Sequence, residues 1–146
     1  MSLQDWLQNH WLTEHTTSRD EVSGQLAAID RDLQECTINS LSPEWRLSIA
    51  YAAAMRAAAI ALAVTGFRAT HEQRHYRTIQ SLRYTINAEP DLIAEIDLFR
   101  KKRNATQYDQ IQAISDHEAK RMIELATLLR DRIVKWLTET NPDLME

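Results

Sequence analysis

Residues 42–66 read SPEWRLSIAYAAAMRAAAIALAVTG, and the fold class follows from this stretch. Nine alanines fall between Ala50 and Ala63. Alanine is the best helix former because it loses no side-chain entropy on becoming helical. Start and stop signals frame the run. Ser42 suits an N-cap, and Pro43 sits at the first helical position, where its missing N–H costs nothing. Gly66 can take the left-handed conformation that closes a last turn. These signals predict a helix from Pro43 to about Thr65. Leu47, Tyr51, Met55, Ala58 and Leu62 make one face, and Ile49, Ala53, Ile60 and Val64 another. A helix apolar over so much of its circumference is expected at the centre of a bundle. Arg56 alone interrupts it, and is expected to pair with a carboxylate at a helix interface or to reach for water.

Working outward, the same 3.6-residue period recurs on both sides. Leu3, Trp6, Leu7, Trp11 and Leu12 predict a short amphipathic helix within residues 3–15. Ser18 and Glu21 have capping-box spacing, and Val22, Leu26, Ile29 and Leu33 carry a helix to about Glu35. After Gly66, a polar crossing leads into a helix over 73–87, then a turn bracketed by Asn87 and Pro90, then a short helix from Asp91 to Lys102. A turn at Arg103-Asn104 is followed by a long closing helix from about Tyr108 to Thr138, marked by Ile111, Ile114, Met122, Leu125, Leu129, Ile133 and Trp136. The expected fold is an all-α, five- to six-helix up-and-down bundle. Residues 1–17 would be a helical extension, 18–138 the bundle and 139–146 a tail.

Bulk composition limits the function classes. With 146 residues, one domain and a real core are expected. A net charge of -4 argues against general coating of nucleic acid, though not against a local basic site. Cys36 is the only cysteine, so neither an internal disulfide nor a cysteine metal cluster can form. The longest uncharged stretch, Ala57 to Phe67, falls short of the roughly 18 residues of a membrane span, and the first residues lack the basic and apolar regions of a signal peptide. A cytoplasmic protein without membrane contact is expected. Gly24 and Gly66 are too far apart for a phosphate-binding glycine loop.

Two stretches carry candidate chemistry. The first is LFRKKRNATQYD, residues 98–109, where Arg100, Lys101, Lys102 and Arg103 run into Asn104 and Tyr108. One reading is structural: cations favour the negative end of a helix. The other is a phosphate site. An arginine fork grips phosphate with two hydrogen bonds, and a tyrosine stacks on a base. The second stretch, 68–77, holds Arg68, His71, Arg74, His75, Tyr76 and Arg77. It is either a solvated first turn or the second wall of an anion groove, with His75 and Arg77 as ligand-binding candidates. His71 and His75 are spaced i, i+4, but no third ligand of matching spacing follows, so no metal and no cofactor is expected. Ser115 and Glu118 form a further possible capping box.

The order of these features resembles the HEPN domain superfamily of small helical bundles. The resemblance rests on the Ala-rich central helix, on Gly66-Phe67-Arg68 before the histidine-bearing RHYRTIQSL, and on Arg103-Asn104-x-x-x-Tyr108 before the closing helix. It spans roughly residues 18–138. It implies a homodimer with a cleft between its chains and RNA or a nucleotide as ligand. It also implies a role in a toxin–antitoxin or defence system, often beside a nucleotidyltransferase. Carried over by position, Arg103 matches the family arginine and Asn104 its polar neighbour, while Tyr108 stands where the catalytic histidine is expected. A phenol titrating near 10 is poorly matched to proton transfer at neutral pH. The resemblance thus implies binding, with Arg103, Asn104 and Tyr108 as the core of the site and Arg100 and Lys101 adding field. Two alternatives stay open: a metal-independent endoribonuclease that recruits His75 or His71, and a non-catalytic scaffold for a protein partner.

Overall fold

The computed structural model describes residues 1–108 and 114–145, with side chains given up to residue 105 in the first stretch. Among them are six helices and one two-stranded ribbon: α1 (Leu3–Gln8), β1 (Leu12–Glu14), α2 (Arg19–Glu35), α3 (Pro43–Val64), β2 (Phe67–Ala69), α4 (Arg74–Thr85), α5 (Pro90–Tyr108) and α6 (Asp116–Thr140), with a 3-10 turn at Pro142–Leu144. The chain is an all-α bundle built around α3, which packs against α2, α4, α5, α6 and β2.

The alanines explain that centrality. Ala50, Ala53, Ala54, Ala57, Ala58 and Ala61 are all buried, so four helices approach the α3 backbone closely. On α6, Met122, Leu125, Leu129, Ile133 and Leu137 form one wholly buried stripe, and Val22 and Ile29 of α2 form another with Cys36 just past its end. Each buried leucine or isoleucine contributes roughly 1.5–3 kcal/mol. By length and composition α3 could cross a bilayer, but 56% of its most apolar window is buried inside the protein. The signals around it act as expected. The Ser42 hydroxyl accepts from the Trp45 N–H, and Gly66 sits at φ +107. Arg56 meets Asp32 at 3.5 Å and donates to the Gln25 side-chain oxygen at 3.1 Å. Cys36, closing α2, is fully buried and donates its thiol to the Leu33 carbonyl.

Two sequence expectations are corrected. The first helix does not continue to residue 15. It stops at Gln8, His10 takes φ +64, and Leu12–Glu14 pairs antiparallel with Phe67–Ala69 in the register Leu12↔Ala69. Leu3, Trp6, Leu12, Leu62 and Ala69 then make a second small core, with Trp6 edge-on to Trp11 and Tyr84 at 5.8 and 5.4 Å. The second correction concerns Arg103-Asn104, which is not a turn. α5 runs through it to Tyr108, and α6 starts only at Asp116, behind Ser115. Arginine, lysine and alanine are all good helix formers, so nothing between Arg100 and Ala105 stops the helix. The side chain of Tyr108, and Ile111 in full, lie outside the described residues.

Ion pairs hold α5 in place against α6. Arg121 grips Glu95 with two bonds of 2.6 and 2.7 Å. Arg132 binds Glu89 and donates to the carbonyls of Ile86 and Asn87, bracing the α4–α5 turn. Lys102 reaches Glu118 at 2.5 Å. The basic half of α5 is thereby fixed beside the start of α4.

Candidate functional site

α4 begins in an unusual way. Its N-cap, Gln73, lies in the left-handed region at φ +54, where a side chain with a Cβ is disfavoured. No side chain caps the helix, and its first turn holds no acid. The first N–H groups of a helix have no partner within it, and they carry a partial positive charge. Here Arg74 adds to that charge instead of cancelling it.

A groove of about 580 Å³ opens at this point. The start of α4 supplies His71, Gln73, Arg74, His75 and Tyr76, and α5 supplies Arg100 and Asn104. The two stretches singled out in the sequence are its two walls. Since α5 is helical throughout, Arg100 and Asn104 are one turn apart on the same face.

Behind these lining residues stand Tyr51 of α3 and Arg103 of α5, which do not themselves line the groove. Tyr51 is buried, and its hydroxyl lies 3.1 Å from His75 Nδ1. The guanidinium of Arg103 lies 5.2 Å from the centre of the same phenol ring. Arg103 Nε is buried and has no hydrogen-bond partner, and among the described residues no carboxylate lies within 4.0 Å of this side chain. Arg100 is held differently. It donates to Asp97 at 2.7 Å and lies 5.4 Å from the Tyr76 ring centre. Asp97 is buried, and Lys101 meets its other oxygen at 3.7 Å. One carboxylate thus faces Arg100 and Lys101, while Arg103 has none among the described residues.

These surroundings set the protonation states. Burial pushes the Tyr51 phenol well above its ordinary range, against the pull of Arg103 and Arg100, so it keeps its proton. Burial lowers His75, and Arg103, Arg100 and Arg74 lower it further, so the imidazole is neutral at neutral pH. The Tyr51–His75 contact has two forms. With the phenol donating to Nδ1, Nε2 carries the ring proton and offers it to a ligand. With Nδ1–H donating to the phenol oxygen, Nε2 carries a lone pair and is a base. In either form Tyr51 orients the ring.

The remaining candidates lie elsewhere. Arg77 leaves the groove and lies 3.7 Å over the Trp11 ring in the second core. Lys101 is on the exposed side of α5. His71 precedes α4, so its helical i, i+4 relation to His75 does not form. Among the described residues no three of His, Cys, Asp and Glu are grouped to hold a metal ion. Tyr51, Asp97 and Gln73 were not foreseen as site residues. Tyr51 had one readable signal: it is the only hydroxyl on a face otherwise made of Leu47, Met55, Ala58 and Leu62, and a buried phenol needs a partner. Asp97 had another, its i, i+3 and i, i+4 spacing to Arg100 and Lys101.

No family model, no curated protein and no solved structure matches the chain.

Proposed function

We propose that this chain binds RNA or a nucleotide through phosphate in the groove between α4 and α5. The observation that carries the reading is Arg103. Among the described residues it is a guanidinium with no carboxylate against it, beside a neutral imidazole and a helix start that no side chain caps. A buried N–H without a partner costs roughly 1–3 kcal/mol; Arg103 stands behind the lining residues Arg100 and Asn104 of its own helix, and a phosphate drawn in past them would relieve that cost. Arg74 and the first N–H groups of α4, which no side chain caps among the described residues, supply further donors, as helix starts do for anions. Asn104 supplies an amide, and Tyr76 a ring on which a base can stack. The wider reading rests on the resemblance alone. It makes the chain a HEPN-like homodimer serving in a toxin–antitoxin or defence pair with a nucleotidyltransferase; the cytoplasmic location is instead the expectation from composition.

The test compares two neighbouring cations. Short single-stranded RNA is titrated at low and moderate salt into the wild-type chain, Arg103→Met and Lys102→Ala. Hydrogen bonds to charged groups contribute about 1.5–3 kcal/mol, so Arg103→Met is expected to weaken binding by about 10- to 150-fold. Lys102 serves Glu118, so Lys102→Ala should leave affinity nearly unchanged. Wild-type affinity should fall as salt rises. Absence of binding at low salt, or equal losses in the two variants, would refute the assignment.

One observation favours a second reading, metal-independent RNA cleavage. Tyr108 stands where a catalytic histidine is expected, but His75 stands in the groove, on the same phenol as Arg103. In its Nδ1–H form it could take the proton of a 2′-hydroxyl as that oxygen attacks phosphorus. The bond to the 5′-oxygen then breaks, and water protonates the leaving oxygen. RNA incubated with chelator should then be cut by the wild type, and neither by His75→Gln nor by Arg103→Met. Intact RNA in all three leaves binding alone.

A further inference from the structure

A second cavity lies on the other side of the α4 start. It encloses about 460 Å³, a size typical of sites for small molecules, which span about 300–1,000 Å³. Met55, Ile60 and Phe67 give it an apolar floor, and Thr17, Glu21 and Gln25 a polar rim. Arg74 and His75 border this cavity and the phosphate groove alike, so the two share one wall.

We propose that this cavity receives the heterocyclic base of a nucleotide whose phosphate occupies the groove between α4 and α5. The inference rests on the phosphate reading above and adds to it the part of the ligand that is recognised. The shared wall is one residue pair at the start of one helix, and a turn of helix rises only about 5.4 Å. A ribose is long enough to cross it. The rim then selects the kind of group. Thr17 Oγ1 is buried and has no partner. Gln25 uses its oxygen on Arg56, which leaves its amide N–H groups to donate. Glu21 holds His15 with one carboxylate oxygen at 2.8 Å, which leaves the other to accept. An alkyl chain would leave this hydroxyl, amide and carboxylate unmet, and sites built for hydrogen bonds reject ligands that lack them. A flat ring with donors and acceptors on its edge satisfies the rim while its faces cover the apolar floor.

The full chain is titrated calorimetrically with AMP, UMP, ribose 5-phosphate and hexyl phosphate. At least one nucleotide is expected to bind about tenfold or more tightly than ribose 5-phosphate, with hexyl phosphate no better than the sugar. Ala59 lines the cavity from an exposed position on α3, so Ala59→Phe fills the space without replacing a core residue. It should bring nucleotide affinity down to that of ribose 5-phosphate and leave the sugar phosphate unchanged. Thr17→Val should weaken the nucleotide severalfold by the same comparison. Equal affinity for nucleotide and sugar phosphate, a match by hexyl phosphate, or an unaffected nucleotide in Ala59→Phe would overturn the base site and leave the phosphate groove standing. If no phosphate compound binds the wild type, the groove itself is wrong and the base site falls with it.

Discussion

The starts of α4 and α6 are built in opposite ways. At α6 the Ser115 hydroxyl accepts from the Glu118 N–H at 3.0 Å, the Glu118 carboxylate accepts from the Ser115 N–H at 3.1 Å, and Asp116 adds a second acid. Lys102 and the Ser115 N–H hold that Glu118 carboxyl below its usual range. The positive end of α6 is satisfied within the chain. At α4 the N-cap Gln73 makes no side-chain cap bond, and the first turn holds Arg74 and His75 and no acid. Serine caps α1, α2, α3 and α6, so the chain has the means to close a helix start and does not use them at α4. One start is closed by its own side chains, and the other has no side-chain cap among the described residues.

The sharpest way to break this contrast is to give α4 the acid that α6 has. Tyr76→Glu puts a carboxylate in the third helical position, facing Arg100. A like charge against an incoming phosphate costs several kcal/mol, so RNA affinity by fluorescence anisotropy should fall about a hundredfold. The melting temperature should hold or rise, since an acid there suits the helix end. Unchanged affinity would mean that the groove is not where RNA binds. The reverse experiment removes the closure of α6. Ser115→Ala should cost about 1 kcal/mol in urea unfolding, the usual loss for a cap, with RNA affinity intact. A loss of affinity would show that the two ends are not independent.

A smaller effect is expected at Gln73. Its left-handed backbone suits glycine, so Gln73→Gly should gain up to about 1 kcal/mol of stability. No gain would remove strain from the description of this site. The smallest effect concerns pH. The folded chain holds His75 below the ordinary imidazole value of 6.5, and the unfolded chain does not. The unfolded state therefore takes up the proton first. The stability from neutral His75 is complete above that value and is lost as pH falls toward the folded one. Affinity for phosphate should move the other way, since an anion favours the imidazolium. His75→Gln should flatten both slopes, and a variant that keeps them would assign the titration to another group.

The sequence made some of this legible and hid the rest. The central helix was plain because its signals are local: Ser42, Pro43, the alanines and Gly66 all lie within one stretch. The end of α1 was not, because Leu12 is drawn into a strand by Ala69, far along the chain, and three-residue strands show no period. The end of α5 is hard to read because a basic run followed by asparagine resembles a helix end, although no glycine or proline stands there to stop the helix. With α5 continuous, Arg100 and Asn104 share one face. His75 could be named as a candidate from its neighbours, but its meeting with Tyr51 depends on how α4 lies across α3, which no spacing in either segment records.

The seclusion of Cys36 has a practical consequence. A sulfur with no solvent contact, whose acidity is weakened by burial, cannot react with iodoacetamide until the helices around it part. As the chain's only cysteine, it makes the rate of alkylation a clock for global opening, readable by mass without any added label.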